Sequence, residues 1–186
     1  MSPSDNGRHV AYSIICHGDS VVMFTSTDTA RDTAQSPLTR IPLEIHLEAS
    51  IRDHYHPGPG EVLIAITEPG RPPITPRGSF MATHHLAAWD IPFTLQHPQY
   101  GAMTPLSMQE ATSLLDFVLH HRHTMTKVVI YCKAGTARSP GVAIALSEWL
   151  PTTPHIYELI ERHPCFHRPI YRTLCSAAIA SGLLRT

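Results

Sequence analysis

Apolar residues change their spacing several times along this chain, and each spacing predicts an element. The runs "EVLIAIT" (61–67) and "TKVVIYC" (126–132) are continuously apolar or nearly so, the pattern of strands buried on both faces of a sheet. "YSIICHG" (12–18) and "SVVMFTST" (20–27) predict two strands joined by a Gly-Asp turn, and a further strand is expected near "HHLAAWDI" (84–91). Helical character is assigned to "LEIHLEASIRDHY" (43–55). In "SMQEATSLLDFVLHHRH" (107–123), Leu114, Leu115, Phe117 and Val118 form an amphipathic helix with Ser107 as its cap. "SPGVAIALSEWL" (139–150) predicts a helix with Pro140 in its first turn, where a missing N–H costs little. "HIYELIERH" (155–163) and "RPIYRTLCSAAIASGLL" (168–184) add two more helical stretches. The alternation predicts an α/β architecture: a central, mostly parallel sheet flanked by helices on both faces, with an extra N-terminal hairpin extending one edge.

A length of 186 residues suits one domain spanning 1–186, with residues 1–42 as an N-terminal extension or edge hairpin. With 42% apolar residues, 16% charged residues and a net charge of -1, the composition favours a globular protein and indicates no nucleic-acid partner. The prolines gather in "HPGPGEV", "EPGRPPITPRG" and "QHPQYGAMTP", which predict loops. No apolar stretch is long enough to span a membrane and the N-terminus lacks the order of a signal peptide, so no membrane partner and a cytoplasmic location are expected. Cys16, Cys132, Cys165 and Cys175 lie far apart with no CxxC pair, which disfavours a disulfide framework or a zinc thiolate site. Cys165 and Cys175 are expected as buried thiols in the C-terminal helical region. The histidine groups "DHYHP", "THHL", "HHRH" and "HPCFH" lack metal-ligand spacing, so surface histidines are expected, with no metal and no cofactor.

The candidate chemistry lies where "VVIYC" gives way to "SPGVAIAL". A strand ending at Cys132 and a helix starting near Ser139 leave a short loop at the positive end of a helix dipole, a natural anion cradle. Gly135 permits backbone geometry closed to other residues, while Ala134, Thr136 and Ala137 are small enough for an anion to approach closely. Arg138 supplies a planar fork matched to two oxygens of a phosphate. The same field favours the thiolate of a cysteine at the loop's start, so Cys132 is expected to be a nucleophile, attacking phosphorus through a cysteinyl-phosphate intermediate.

The segment Cys132-Lys-Ala-Gly-Thr-Ala-Arg138-Ser139 resembles the Cys-x5-Arg-Ser/Thr loop of the cysteine-based protein tyrosine phosphatase superfamily, and looks closest to compact, dual-specificity-like bacterial and viral members. "EVLIAITEPGRPP", "LAAWDIPF" and "PIYRTLCSAAI" are similar to an early strand and loop, an acid-bearing loop and the last helix of those proteins, so the resemblance runs from about Glu61 to the C-terminus. It implies hydrolysis of phosphate monoesters, with a phosphorylated protein or another phosphomonoester as substrate. It implies Asp90 as the general acid, and Ser139 as the hydroxyl assisting thiolate departure. A capping aspartate and a plain helix N-cap are the alternatives for these two. Lys133 either favours acidic substrates at the pocket rim or is a solvated surface lysine. The family usually has histidine before the nucleophile, where this chain has Tyr131. An inactive phosphate-binding pseudophosphatase and a rhodanese-like sulfurtransferase are the rival functions.

Overall fold

The computed structural model describes Ala11–His17, Ser20–Ser26 and residues 40–185. The chain divides into two compact units, Met1–Leu38 and Thr39–Arg185. In the first, β1 (Ala11–His17) and β2 (Ser20–Ser26) form an antiparallel pair whose register runs from Ala11↔Ser26 to His17↔Ser20. That register matches a two-residue connection; positions 18 and 19, the expected Gly-Asp turn, lie outside the described residues.

The second unit contains β3 (Ile41–Leu47), α1 (Glu48–Asp53), β4 (Glu61–Thr67), β5 (Ala82–Ala87), β6 (Leu95–His97), β7 (Gly101–Met103), α2 (Met108–His121), β8 (Lys127–Cys132), α3 (Arg138–Ser147), β9 (Thr152–Thr153), α4 (Ile156–Arg162) and α5 (Arg168–Ala180). Its main sheet has five strands in the order β5-β4-β8-β3-β9, every neighbouring pair parallel. β6 and β7 make a small antiparallel hairpin inside the segment expected as a Pro-rich loop.

One expected element changes type. Residues 43–55 begin as strand, and helix starts only at Glu48. Leu43, Leu47 and Ile51 recur at helical spacing, but Ile41, Leu43, Ile45 and Leu47 also alternate with period two. The neighbouring β8 decides in favour of the strand, since Leu43 to Leu47 pair with Val128 to Cys132 and satisfy backbone groups there, while Ile41 and Pro42 pair with β9.

Strand alternation sorts side chains onto two faces. Val128, Ile130 and Cys132 of β8 join Val62, Ile64 and Ile66 of β4 in the larger core, which α2, α3, α4 and α5 cover. Val129 and Tyr131 point the other way, into a smaller core with Leu63, Ala65 and Ile51 of α1, closed by Ile74 and Phe80 of the Pro-rich segment. Helices therefore flank both faces, as the α/β pattern predicts. α3 is the most enclosed, with Arg138 through Leu146 all buried. Ser107 caps α2 in a reciprocal capping box with Glu110. At the end of β8 away from Cys132, Lys127 sits 2.9 Å from Glu44 and 3.0 Å from Glu61, pinning β8 between its two neighbours.

Tyr131 has a structural task on the smaller face. Its hydroxyl accepts the Ile74 N–H at 3.2 Å, tying the Pro-rich segment to the central strand. Burial raises the phenol's pKa, so the hydroxyl stays neutral. Tyr131→Phe removes the acceptor and should lower stability by about 1 kcal/mol, read as a shifted urea midpoint with an unchanged slope. An unaltered midpoint would show that the tie contributes nothing.

Candidate active site

The C-terminal ends of the parallel strands bring together residues from distant parts of the chain. β8 ends at Cys132, 2% exposed, and the chain then loops to α3. Gly135 makes that turn with φ +72, and a Cβ there would stand 3.0 Å from Leu47 N and 3.1 Å from the His46 carbonyl. The loop thus rests on the end of β3, in a space and a backbone conformation open only to glycine. The Gly135 N–H donates to Cys132 Sγ at 3.3 Å, and Ser139 Oγ lies 3.1 Å from the same sulfur. Ser139 is fully buried and sits one residue inside the helix; the N-cap is Ala137, without a side-chain cap bond. The capping alternative for Ser139 therefore gives way to a hydroxyl directed at the sulfur.

Arg138 begins α3 and is 2% exposed. Its Nη2 donates to Glu68 Oε1 at 2.8 Å and its Nη1 to the Ala88 carbonyl at 3.0 Å, contacts at the ends of β4 and β5. Its Nε–H is buried without a hydrogen-bond partner. Burial pushes the Glu68 carboxyl up, but the Arg138 charge and hydrogen bonds outweigh it and hold that carboxyl below the usual range. Arg71, 3.5 Å from Glu68 and 2.7 Å from Glu48, continues the ion-pair chain to the start of α1.

Asp90, exposed on the loop after β5, faces this centre. Its Oδ2 is 3.7 Å from Arg138 Nε and its Oδ1 is 3.7 Å from His167 Nε2, both beyond hydrogen-bond length. His167 is a buried residue at the N-cap of α5, where its Nδ1 accepts the Ile170 N–H at 3.3 Å. The same residue's backbone N–H donates to the Ala137 carbonyl at 3.0 Å. Across that contact, a Cβ on Gly141 would meet the His167 carbonyl oxygen at 2.9 Å, so α3 and the start of α5 touch backbone to backbone.

Of the residues predicted from sequence, Cys132, Gly135, Arg138, Ser139 and Asp90 converge here. Lys133, Ala134 and Thr136 lie exposed along the loop, and Ala137 is half-buried. Glu68 enters unannounced, and His167, expected at the surface with the other histidines of "HPCFH", is instead buried, because it caps α5 where that helix packs against the start of α3. An acid one residue beyond a strand end, and a histidine just before an Arg-Pro helix start, were the available signals. Beside the site a cleft of about 710 Å³ opens between the β6–β7 hairpin and the start of α2, with Pro69, Trp89, Tyr100, Ala102 and Gln109 among its lining. It adjoins the site through Pro69 and Trp89, the neighbours of Glu68 and Asp90, and among the described residues no Lys or Arg lines it. Cys165, expected to be buried, is exposed in the turn that Pro164 starts between α4 and α5, and Cys175 is half-buried in α5. Among the described residues no helix is long and apolar enough to cross a membrane, and no three His, Cys, Asp or Glu side chains gather as a metal site. Comparison with protein-family models and with curated proteins found no match.

The depressed Glu68 carboxyl gives a pH test. A carboxylate held low in the native state contributes stability that is complete above its unfolded pKa and is lost as pH falls through the native one. Glu68→Gln should therefore cost about 1.5–3 kcal/mol at neutral pH, and the deficit should shrink as the medium is taken below about pH 4. Urea unfolding of both proteins across that range checks it; a deficit independent of pH would remove the ion pair from the account.

Proposed function

We propose that this protein is a cysteine-dependent phosphatase that hydrolyses phosphate monoesters of the phosphotyrosine or dual-specificity type. The observation that carries the proposal is the enclosure of one sulfur by a backbone N–H and a buried hydroxyl, at the head of a loop that ends in a buried arginine with an unused N–H. The Gly135 N–H donates to Cys132 Sγ and the Ser139 hydroxyl lies within hydrogen-bond reach of it, so the sulfur is held in place at the head of the loop, where a nucleophile is needed. The position of Tyr131 also supports activity. It points into the opposite face from Cys132, so its presence in place of a histidine leaves both contacts to the sulfur intact.

In the first step Cys132 Sγ forms a bond to phosphorus while the ester oxygen leaves with a proton from Asp90. The Arg138 Nε–H, turned from structure to substrate, holds a phosphoryl oxygen whose charge spreads in the transition state. In the second step water attacks the cysteinyl phosphate and gives its proton to the Asp90 carboxylate. The sulfur departs as thiolate, accepting a hydrogen bond from Ser139 Oγ. Arg138 is held during the cycle, since Glu68 takes an Nη2 N–H and the Ala88 carbonyl an Nη1 N–H. The adjoining cleft, apolar and aromatic on one wall, suits an uncharged flanking group better than a second phosphate.

Turnover of para-nitrophenyl phosphate beside a thiosulfate-to-cyanide assay separates phosphatase, sulfurtransferase and inactive binder. Phosphatase activity is expected, and Cys132→Ser should abolish it; activity that survives that change overturns the mechanism. Asp90→Asn should slow a tyrosyl phosphate by about 10²–10⁴-fold and an activated aryl ester much less, because a good leaving group needs little help from a proton. Equal small losses on both would return Asp90 to a capping role. Arg138→Ala should impair every ester, by about 10²–10³-fold.

A further inference from the structure

Two buried N–H groups at the site, Arg138 Nε and His167 Nε2, have no partner within hydrogen-bond geometry; the Asp90 carboxylate stands 3.7 Å from each, and the Ile91 backbone also acts on the imidazole. A buried donor left unsatisfied costs free energy, so each is expected to find an acceptor at some stage of the protein's work. Catalytic hydrogen bonds are often long in a ligand-free protein and tighten in the complex. The phosphoryl oxygens claim the Arg138 Nε–H in the mechanism above. The His167 donor remains.

We propose that His167 is a positioning residue for the general acid: its Nε2–H closes onto Asp90 Oδ1 and leaves Oδ2 to carry the proton to the ester oxygen. The proposal rests on the phosphatase function and on Asp90 as its acid. Three observations carry it. The imidazole cannot rotate away, because its Nδ1 accepts the Ile170 N–H as the cap of α5. That bond fixes the neutral tautomer with hydrogen on Nε2, the atom nearest Asp90. The backbone beneath it is fixed as well, by the His167 N–H to Ala137 carbonyl bond and by the glycine-only contact with Gly141 at the start of α3. The Asp90 loop, in contrast, is exposed, and a movement of under about 1 Å brings the pair within hydrogen-bond length.

Neutrality suits the task. A neutral donor can orient the carboxyl group without adding a second positive charge beside Arg138. Burial holds the imidazole's pKa below its ordinary value; Asp90 and the Ile91 backbone pull it up, and the Arg138 charge pushes it down. Asp90 and Arg138 are the charged side chains acting on it, and Glu68 already compensates Arg138.

The test compares His167→Asn, which keeps an acceptor for the Ile170 N–H and loses the distal donor, with His167→Gln, which returns an N–H at the distance of Nε2. His167→Asn should lower kcat on a tyrosyl phosphate by about tenfold or more, a fraction of the whole acid effect, and cost an activated aryl ester much less. His167→Gln should recover most of that loss. Inhibition by inorganic phosphate should match the parent protein in both, and in an Asp90→Asn background neither change should cost more. Equal losses on both esters, or a loss that persists without Asp90, would overturn the positioning role. Weakened phosphate inhibition would overturn it too, by assigning the donor to the phosphoryl group. If Asp90→Asn shows no dependence on the leaving group, the acid assignment falls first and this role with it; a biased Asp90→Asn beside an unbiased His167→Asn defeats the role alone. Nitrogen-15 NMR of the parent imidazole needs no variant: an Nε2-protonated neutral ring is expected at neutral pH, and an Nδ1-protonated one refutes the proposal.

Discussion

A guanidinium does not give up its charge inside a protein, so a buried arginine obliges its surroundings to answer it. Arg138 is the buried charge around which the ends of three strands are arranged. β4 sends Glu68, β5 turns its Ala88 carbonyl inward, and β8 delivers Arg138 itself across the short loop. The order β5-β4-β8 makes these ends neighbours, so one side chain joins the sheet at the side where Cys132 emerges. Through Arg71 the same carboxylate is linked to Glu48, which follows β3, and a line of alternating charges crosses the rim.

Period-two alternation divides the labour on β8. Cys132 belongs to the face that α2 to α5 cover, where a rigid helix can present its first turn to the sulfur. Tyr131, one residue earlier, serves the other face and anchors the Pro-rich segment. A position that looks like a change in the Cys132–Arg138 loop when read along the chain is, in three dimensions, part of a different core.

Much of this was legible in the chain. The continuous apolar runs at 61–67 and 126–132 became fully or almost fully buried strands because parallel strands covered on both sides have no polar face to show. The loop was legible because Gly135 and the small residues around it leave few physical alternatives. Residues 43–55 were not, since their apolar spacing fits both periods and only pairing with the distant β8 selects one. The hairpin at 95–103 was hidden because prolines and short strands give no periodicity to find. Glu68 and His167 were out of reach for another reason: their importance lies in which atoms they meet across the fold, and no local pattern encodes that.

The parallel sheet also sets when in folding such a site can exist. Val128 pairs with Val62 on one side and Leu43 on the other, partners that lie far back in the chain and are reached only by closing long loops. A peptide cut to residues 128–150 would keep the cysteine, the glycine and the arginine. It would lose both neighbouring strands, the ledge at His46 and Leu47 on which Gly135 rests, and the carboxylate that answers Arg138. The short stretch that looks self-contained in the sequence is thus among the least autonomous parts of the molecule, and a nascent chain acquires the surroundings of the Cys132 sulfur only once the distant strands have met.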